Sequence, residues 1–242
     1  MGALEGKVAV ITGSSMGIGA AIARALHAEG ARVVLNSRDM ADLRDVAKEL
    51  GNERVLMVEA DLVEDSHMQT LIDATLDRWG QIDIFVNNAG TIKIGWAHRG
   101  KTSDWRYQFD INLWAYLTGT RLALPHMLAR GQGDLVFIDS IAGRHAVPLW
   151  SCYTATKFAV RGFAESLREE LQGTGVRLTI VEPGLVATNV LSQGPTAVSR
   201  VFEKGAKLLR PEDVAAAVQY AVTRPPDVSL QEIVIQHRGL KL

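Results

Sequence analysis

Short runs of β-branched and other apolar residues alternate with longer amphipathic segments along almost the whole chain. Several of these runs are apolar at successive positions, as expected of strands that are covered on both faces of a sheet. Strands that alternate with helical segments are typical of βαβ units, whose strands run parallel. The sequence therefore predicts an α/β fold built on a parallel sheet.

The alternation gives the bounds of the predicted elements. Strands are predicted at residues 8–12, 32–36, 55–59, 82–87, 135–139, 178–182 and 232–236. Helices are predicted at residues 17–29, 41–50, 65–79, 103–129, 152–171 and 211–222. The segment 185–209 has no steady period because Gly194, Pro195 and Gly205 interrupt it. A stretch this long within a compact domain is more often a functional lid than a passive loop, so 185–209 is predicted to be a substrate-binding lid.

Length and charge restrict the class of partner. A chain of 242 residues with 47% hydrophobic content can bury a sizeable core, and we expect one domain over 1–242. The formal net charge is -1 without a long run of either sign, which argues against a nucleic-acid surface. A small-molecule partner is expected instead.

The cysteine, the histidines and the N-terminus indicate the compartment and the kind of site. Cys152 is the only cysteine, so no internal disulfide can form and a reducing compartment is expected. The six histidines show no metal-ligand spacing with one another or with Cys152, so no metal site is predicted. The first apolar run is too short and wrongly flanked for a signal peptide or a membrane span. A cytoplasmic protein without membrane attachment is therefore expected.

A glycine-rich turn follows the first predicted strand. Gly13, Gly17 and Gly19 occur within seven residues and lead into an alanine-rich helix. Glycines permit a tight turn and close backbone approach, and free amides at a helix start attract a pyrophosphate. The spacing GxxxGxG differs from the common GxGxxG fingerprint, and an ordinary strand-to-helix turn is the alternative. The position between the first strand and the first helix favours dinucleotide binding.

The end of the second strand indicates which dinucleotide is bound. Ser37 stands where an acidic residue would accept from a free ribose 2′-hydroxyl, and Arg38 follows it. The arginine fork suits a phosphate, so NADP(H) is predicted over NAD(H). The alternative is a solvated Arg38 that Asp39 neutralises.

Tyr153 and Lys157 are four residues apart on a predicted helix, so both side chains share one face. A free tyrosine titrates near ~10, and lowering its pKa to roughly 7 requires about 4 kcal/mol of phenolate stabilisation. One cation at about 4 Å in an effective dielectric of about 20 supplies roughly that amount. Lys157 is therefore predicted to lower the pKa of Tyr153. The alternative is a half-buried ring beside a solvated charge, because this spacing is common in helices.

Five motifs in one order resemble the short-chain dehydrogenase/reductase family. They are the turn at 12–19, the segment 87–90, Ser140, the pair Tyr153 and Lys157, and Pro183 with Gly184. The resemblance spans nearly the whole chain and implies a single-domain, doubly wound Rossmann fold with a seven-stranded parallel sheet and helices on both faces.

The resemblance also implies the catalytic roles. Ser140 would hold a carbonyl oxygen, and Tyr153 would be the general acid or base. Lys157 would lower the pKa of Tyr153 and bind the nicotinamide ribose. Asn112 would complete a proton relay through water, which gives a reason for a poor helix former in the long helix.

Two larger sets of residues follow from the resemblance. The cofactor residues are expected to be Gly13, Ser15, Gly17, Ile18, Gly19, Ser37, Arg38, Asp61, Leu62, Asn88, Gly90, Tyr153, Lys157, Pro183, Gly184, Val186 and Thr188. The substrate wall is expected to include Ile94, Trp96, Ile141, Arg144, His145, Trp150 and Leu185. Either Arg144 or His145 would hold a substrate carboxylate, or both would face solvent.

The C-terminal third is similar, more loosely, to NADP-dependent 3-hydroxy acid (serine-type) dehydrogenases and clavulanate-dehydrogenase-like members. This similarity implies a small polar or acidic substrate, and the long helices resemble those through which family members form homodimers or homotetramers. The expected activity is hydride transfer between NADP(H) and a carbonyl or alcohol. The alternatives are an NAD(H)-preferring dehydrogenase, a cofactor-sensing regulator without catalysis, and an NAD-dependent sugar epimerase, which usually needs a larger substrate domain.

Overall fold

Seven parallel strands form one sheet in the order β3-β2-β1-β4-β5-β6-β7. The computed structural model describes residues 2–188 and 208–239. The strands are β1 (Val8–Ile11), β2 (Arg32–Ser37), β3 (Val55–Glu59), β4 (Ile84–Asn87), β5 (Gly133–Ile138), β6 (Val176–Pro183) and β7 (Glu232–Ile235). The predicted seven-stranded parallel sheet is confirmed, and each predicted strand overlaps an observed one.

The helices connect the strands on both faces of the sheet. They are α1 (Gly17–Ala28), α2 (Met40–Leu50), α3 (Asp65–Trp79), α4 (Thr102–Phe109), α5 (Ala115–Arg130), α6 (Ser151–Glu170) and α7 (Pro211–Val222). α7 begins as its sequence predicts, because Pro211 stands at the first helical position and Asp213 accepts from the Arg210 amide at 2.8 Å.

The sequence predicts one continuous helix at 103–129, and the structure contradicts this continuity. A π-helical turn, Asp110–Trp114, separates α4 from α5. Within this turn the buried Asn112 side chain bonds to the backbone of Thr91. Helical propensity cannot reveal such a tertiary contact, and π-turns within helices frequently occur at functional sites.

Two apolar cores lie on opposite faces of the sheet. Val8 and Val10 belong to one core, whereas Ala9 and Ile11 belong to the other, as strand alternation requires. Helices α3, α5 and α6 cover the first face, and α1, α2 and α7 cover the second. Burying each large aliphatic side chain contributes roughly 1.5–3 kcal/mol, so strands β1 to β6 are stabilised from both faces, whereas the edge strand β7 is only partly covered.

The strand order reverses between β1 and β4. From β1 the chain proceeds outward to β2 and β3, and it then returns to place β4 on the other side of β1. Connections therefore diverge at this point and open a crevice beyond the carboxyl ends of the strands. Ligands of open α/β sheets bind in such a crevice.

The predicted lid at 185–209 is described only at its two ends. Val186 forms a bridge with Leu209, so the ends of the segment lie together beside β6. The remainder, 189–207, lies outside the described residues. Within the described ranges, no helix combines the length and apolar character needed to cross a membrane.

Candidate active site

A cleft of about 1090 Å³ opens at the carboxyl ends of the strands, above the reversal of strand order. It exceeds the range of roughly 300–1,000 Å³ that is typical of small-ligand pockets. Its walls come from the glycine turn, the ends of β2 and β4, the residues that follow β5, the start of α6 and the segment after β6. Such a cleft has room for a dinucleotide with a second small molecule beside it.

The glycine turn leaves space that a side chain would fill. Gly13 and Gly17 have φ angles of +61° and +56°, in the left-handed region that favours glycine. A Cβ at Gly19 would lie 2.3 Å from the carbonyl oxygen of Gly13. The backbone is thus uncovered where α1 begins, and its free amides suit an anionic group. These residues fit the pyrophosphate of a dinucleotide.

Three polar residues hold this turn in place: Asn88, which the sequence analysis named, and Thr12 and Asn36, which it did not single out. Asn36 accepts from the Gly13 amide at 3.1 Å, and Asn88 donates to the Gly13 carbonyl at 3.0 Å. The Thr12 hydroxyl donates to Val86 and accepts from the Asn88 amide at 2.8 Å. The Asn88 side chain, predicted to line the adenosine ribose, therefore supports the glycine turn. The sequence signal that could have identified Thr12 and Asn36 is a polar residue within an otherwise apolar predicted strand.

Arg38 lies at the expected end of the cleft. Its guanidinium donates to the Tyr107 hydroxyl at 2.9 Å, and both residues line the cleft with Ser37. Asp39, the alternative partner, accepts from the Ala41 amide at 2.8 Å and so caps α2. The Arg38 fork therefore faces the cleft, where a ribose phosphate could meet it.

Most of the other predicted cofactor residues also line the cleft. These are Ser15, Ile18, Asp61, Leu62, Gly90, Pro183, Gly184, Val186 and Thr188, and all are joined there by Ser140, Tyr153 and Lys157. The fold brings them together because each follows the carboxyl end of a strand or lies at the start of α1 or α6.

Ser140 and Tyr153 both line the cleft, and their side chains are in polar contact. Ser140 follows β5 and caps a short 3₁₀ turn, its Oγ accepting from the Ala142 amide at 3.1 Å. Tyr153 lies in the first turn of α6, where the Trp150 ring packs edge-on at 5.9 Å between centroids. Burial raises the pKa of Tyr153 well above the value of free tyrosine, whereas its polar contact with Ser140 opposes the shift.

Lys157 lies beside the Tyr153 ring, as the helical spacing predicts, and it also contacts two other groups. The buried Lys157 ammonium donates to the Ile138 carbonyl at 2.8 Å and lies 3.9 Å from Asp139. It is 5.8 Å from the centroid of the Tyr153 ring, and burial lowers the pKa of Lys157. The lowering of the Tyr153 pKa by Lys157 therefore stays a prediction, and the sequence did not reveal the carbonyl and the carboxylate beside the cation.

Asn112 is fully buried below the cleft. Its Oδ1 accepts from the Thr91 amide at 2.8 Å, while its Nδ2 donates to the Thr91 carbonyl and to Thr156 Oγ1. These bonds join the π-turn to the segment after β4 and to α6. The Asn112 side chain therefore has three structural hydrogen bonds, and its part in a water relay stays a prediction.

Two of the seven residues predicted for the substrate wall lie at the cleft. Trp150 and Leu185 line the cleft. Five other predicted residues do not: Ile94, Trp96, Ile141, Arg144 and His145. Ile141 is buried in the protein, Trp96 lines a separate small depression, and His145 is exposed. Thr91, Ile92 and Lys93 contribute to the wall after β4 instead.

Arg144 takes part in an ion-pair network behind the cleft. Its guanidinium contacts the buried Glu182 at 2.5 Å and also pairs with Glu232. Arg161 pairs with the same two carboxylates at 2.5 and 2.8 Å. Arg144 therefore joins the turn after β5 to β6 and β7 through its Nε and Nη2 donors, which argues against both predicted alternatives, a substrate carboxylate or a solvated side chain.

We expect Arg144→Ala to destabilise the protein without changing its preference for acidic substrates. Loss of a charge-assisted bond to the buried Glu182 would cost roughly 1–2 kcal/mol after allowance for the partial exposure of the arginine. Denaturant unfolding measures this cost, with Arg210→Ala as a control, since Arg210 is exposed and pairs locally with Asp213. A selective loss of turnover with carboxylate substrates would contradict the placement of Arg144.

In the part of the chain that the structure describes, neither Cys152 nor the residue types that bind metals form a second catalytic or metal site. Burial raises the pKa of the Cys152 thiol, which disfavours the nucleophilic thiolate. In 2–188 and 208–239, no cluster of three or more histidine, cysteine or acidic side chains could hold a metal ion.

The family model for short chain dehydrogenases matches residues 7–198. The glycine betaine reductase of Emericella nidulans is 38% identical to this chain over 98% of it, although the chain spans only 19% of that longer relative. A metagenomic short-chain oxidoreductase solved in complex with NADP has a TM-score of 0.84 at 32% identity, covering 97% of this chain and 98% of that one. The closed form of serine dehydrogenase complexed with NADP+ has a TM-score of 0.88 at 31% identity, with the same coverage. Together with the sheet order and the glycine turn, these matches establish that the chain belongs to the short-chain dehydrogenase family.

Proposed function

We propose that the protein is an NADP(H)-dependent oxidoreductase that interconverts a carbonyl and an alcohol. The observation that carries this proposal is that Ser140 and Tyr153 face the cleft that the glycine turn also lines. A hydroxyl donor and a phenol there can serve one substrate oxygen beside a bound dinucleotide. The NADP complexes of the two similar structures support the choice of cofactor.

Ser140 binds the substrate oxygen in this mechanism. Because its Oγ already accepts from the Ala142 amide, its hydroxyl hydrogen is available to a carbonyl oxygen in the cleft. This bond polarises the carbonyl and is strongest when the oxygen becomes an alkoxide, so it stabilises the transition state more than the ground state.

Tyr153 transfers the proton. When bound, the nicotinamide supplies or accepts the hydride at the carbonyl carbon. The Tyr153 hydroxyl donates its proton to the substrate oxygen during reduction and takes it back during oxidation. Since burial raises the pKa of Tyr153, the phenol is protonated at neutral pH, which is the form that reduction requires.

Lys157 and Asn112 support the site from below. The Lys157 ammonium lies near both the Tyr116 and Tyr153 rings, at 5.1 and 5.8 Å from their centroids, and it faces the cleft where a nicotinamide ribose would lie. Asn112 holds the segment after β4 against α6, and we propose that it supports a water that returns the proton from solvent.

Arg38 decides the choice between the two nicotinamide dinucleotides. We expect Arg38→Ala to raise the KM for NADPH about tenfold and to leave the KM for NADH unchanged, because a hydrogen bond to a charged group contributes roughly 1.5–3 kcal/mol. Arg44→Ala removes the same charge from the exposed face of α2 outside the cleft and serves as the control. Equal effects of Arg38→Ala on both cofactors would exclude this role, and a strong preference of the wild type for NADH would favour the NAD(H) alternative.

A carbonyl panel with NADPH tests the reaction itself. Oxidation of NADPH that depends on an added aldehyde, ketone or oxo acid supports the proposal, whereas binding of NADPH without turnover across the panel favours a dinucleotide-sensing regulator. Small polar and acidic carbonyls come first in the panel, since serine dehydrogenase is among the similar structures.

The protein is also proposed to self-associate as a homodimer or homotetramer. Large apolar side chains are exposed on α4, the π-turn and α6, among them Trp105, Trp114 and Phe158. Exposed apolar groups on neighbouring elements often mark a protein interface. Light scattering coupled to size exclusion distinguishes a monomer from either assembly.

A further inference from the structure

Tyr107 lines the cleft beside Arg38, although the two residues are 69 positions apart along the chain. Arg38 directly follows β2, whereas Tyr107 lies near the end of α4. The Tyr107 hydroxyl accepts a hydrogen bond from Arg38 Nη1 at 2.9 Å. Tyr107 has no part in the mechanism proposed above, so its contact with the arginine requires a reason of its own.

The position of Tyr107 is fixed from two sides. Its ring is half-buried and packs against the core that α3, α5 and α6 cover. The next residue, Gln108, is fully buried, and its Oε1 accepts from the Lys93 amide at 3.0 Å, which joins α4 to the segment after β4. Arg38, by contrast, is exposed and has a long, flexible side chain. The Tyr107 hydroxyl is therefore a fixed acceptor for a mobile donor.

The hydrogen bond leaves most of the Arg38 guanidinium available. Only Nη1 donates to Tyr107, while Nε and Nη2 have no hydrogen-bond partner in the part of the chain that the structure describes. These two nitrogens form an edge of the guanidinium that can donate to two oxygens of one phosphate. Tyr107 therefore orients the arginine without occupying this edge.

The partner of Arg38 is uncharged, although carboxylates are near. Asp39, Asp42 and Asp61 also line the cleft, but within 2–188 and 208–239 none of them forms an ion pair with Arg38. Burial raises the pKa of Tyr107, so its phenol is neutral at neutral pH, although the charge of Arg38 opposes the shift. A neutral partner holds the guanidinium in place and leaves its positive charge for an anionic ligand.

We propose that Tyr107 is a positioning residue for cofactor selection, whose hydroxyl holds the Arg38 guanidinium in the orientation that binds the 2′-phosphate of NADP(H). This inference rests on the proposed function in taking NADP(H) as the cofactor. A flexible arginine must become ordered when it binds a phosphate, and this ordering lowers the affinity. The hydrogen bond to Tyr107 orders Arg38 before the cofactor arrives. Tyr107 thus acts through Arg38 and increases the preference for NADP(H) over NAD(H).

The first test is cofactor binding by Tyr107→Phe, which removes the hydroxyl and keeps the ring. Fluorescence titration without substrate gives the Kd for NADPH and for NADH. We expect the Kd for NADPH to rise about fivefold, the factor that corresponds to ordering one flexible side chain. The Kd for NADH should not change, because NADH has no 2′-phosphate. Equal changes for both cofactors, or no change for either, overturn the proposal.

Two smaller ligands isolate the phosphate that Arg38 is proposed to bind. The ligands 2′,5′-ADP and 5′-AMP differ only in the 2′-phosphate, so the ratio of their Kd values cancels the contacts of adenine and of the 5′-phosphate. We expect the preference for 2′,5′-ADP to fall about tenfold in Arg38→Ala and about fivefold in Tyr107→Phe. Calorimetric titration measures both ligands. An unchanged preference in Tyr107→Phe contradicts the positioning role.

A double-mutant cycle shows whether Tyr107 acts through Arg38. If it does, the double variant Arg38→Ala/Tyr107→Phe binds NADPH as Arg38→Ala does, because the hydroxyl then has no guanidinium to hold. Losses that add in the double variant would show that the hydroxyl acts independently of Arg38, and they would overturn the positioning role.

Tyr220→Phe is the matched control. Tyr220 also lies beside an arginine, with the Arg224 guanidinium 4.1 Å from its ring centroid, but both residues are outside the cleft. Loss of the Tyr220 hydroxyl should change the Kd of neither cofactor, and a selective loss of NADPH affinity there would overturn the specific role of Tyr107. Tyr107→Leu also lacks the hydroxyl and should show the same fall in preference for 2′,5′-ADP, so the test does not depend on one variant folding.

These binding measurements separate the inference from the proposed function. If the protein turns over no carbonyl or alcohol, the proposed reaction fails, but the titrations still decide the role of Tyr107. If Arg38→Ala binds NADPH as the wild type does, the proposed role of Arg38 and the inference fail together. If Arg38→Ala selectively loses NADPH affinity and Tyr107→Phe does not, the inference alone fails.

Discussion

Tyr153→Phe is expected to lower kcat for carbonyl reduction by about 10³-fold, within the 10²–10⁴ range of a general acid. The substitution removes one hydroxyl and preserves the ring, so the edge-on contact with Trp150 is retained. The affinity for NADPH should change little, because the phenol donates to the substrate oxygen. Steady-state kinetics with any active carbonyl, together with NADPH fluorescence titration, measures both quantities.

Tyr220→Phe is the matched control for this prediction. Tyr220 is 53% exposed on α7 and lies outside the cleft, so loss of its hydroxyl should leave kcat unchanged. Retention of the full rate by Tyr153→Phe would overturn the assignment of the general acid and, with it, the proposed mechanism. Equal losses in both variants would point to a general effect of the substitution.

Gly19→Ala is expected to weaken NADPH binding by about 10- to 100-fold, the range that corresponds to loss of one charge-assisted hydrogen bond. The added Cβ would lie 2.3 Å from the Gly13 carbonyl oxygen and 2.6 Å from Asn88 Nδ2. The backbone oxygen cannot rotate away, so the glycine turn itself must shift. The free amides at the start of α1 then no longer point where a pyrophosphate lies.

Gly162→Ala provides the control for a glycine substitution in a helix. Gly162 is exposed in α6, and a Cβ there would meet no atom within 4 Å. Alanine is favoured over glycine in a helix interior by about 1 kcal/mol, so this variant should be slightly more stable and bind NADPH normally. Unfolding by denaturant and fluorescence titration measure the two effects. Normal binding by Gly19→Ala would contradict the role of the turn.

Much of the fold could be predicted because the patterns were local. Strands buried on both faces are apolar at successive positions, as in Val8–Ile11 and Ile84–Asn87, and such runs need no tertiary information to be recognised. α3 and α7 agree with their predicted bounds, since Pro211 and the acidic residues after it mark a helix start. The π-turn at Asp110–Trp114 was missed because its cause lies in contacts with Thr91 and Thr156.

The site was predicted less completely than the fold. The glycine turn and Arg38 were recognised because each directly follows a strand. In a parallel sheet, residues that follow strands lie at the same edge of the sheet. Arg144 was assigned to the substrate wall because it follows Ser140 closely, yet its direction depends on Glu182 and Glu232, more than 35 residues away along the chain. Thr12 and Asn36 were missed because their partners lie on neighbouring strands.

The sequence by itself determined the order of strands and helices, the glycine turn and the residue types available for proton transfer. These depend on local periodicity and on spacing along one element. Only the tertiary structure decided which groups those residues contact. Helical spacing brought Lys157 to the same face as Tyr153, but β5 placed a buried Asp139 beside the cation. Burial and neighbouring charge set the pKa of a group, and both depend on packing that the spacing along one helix does not determine.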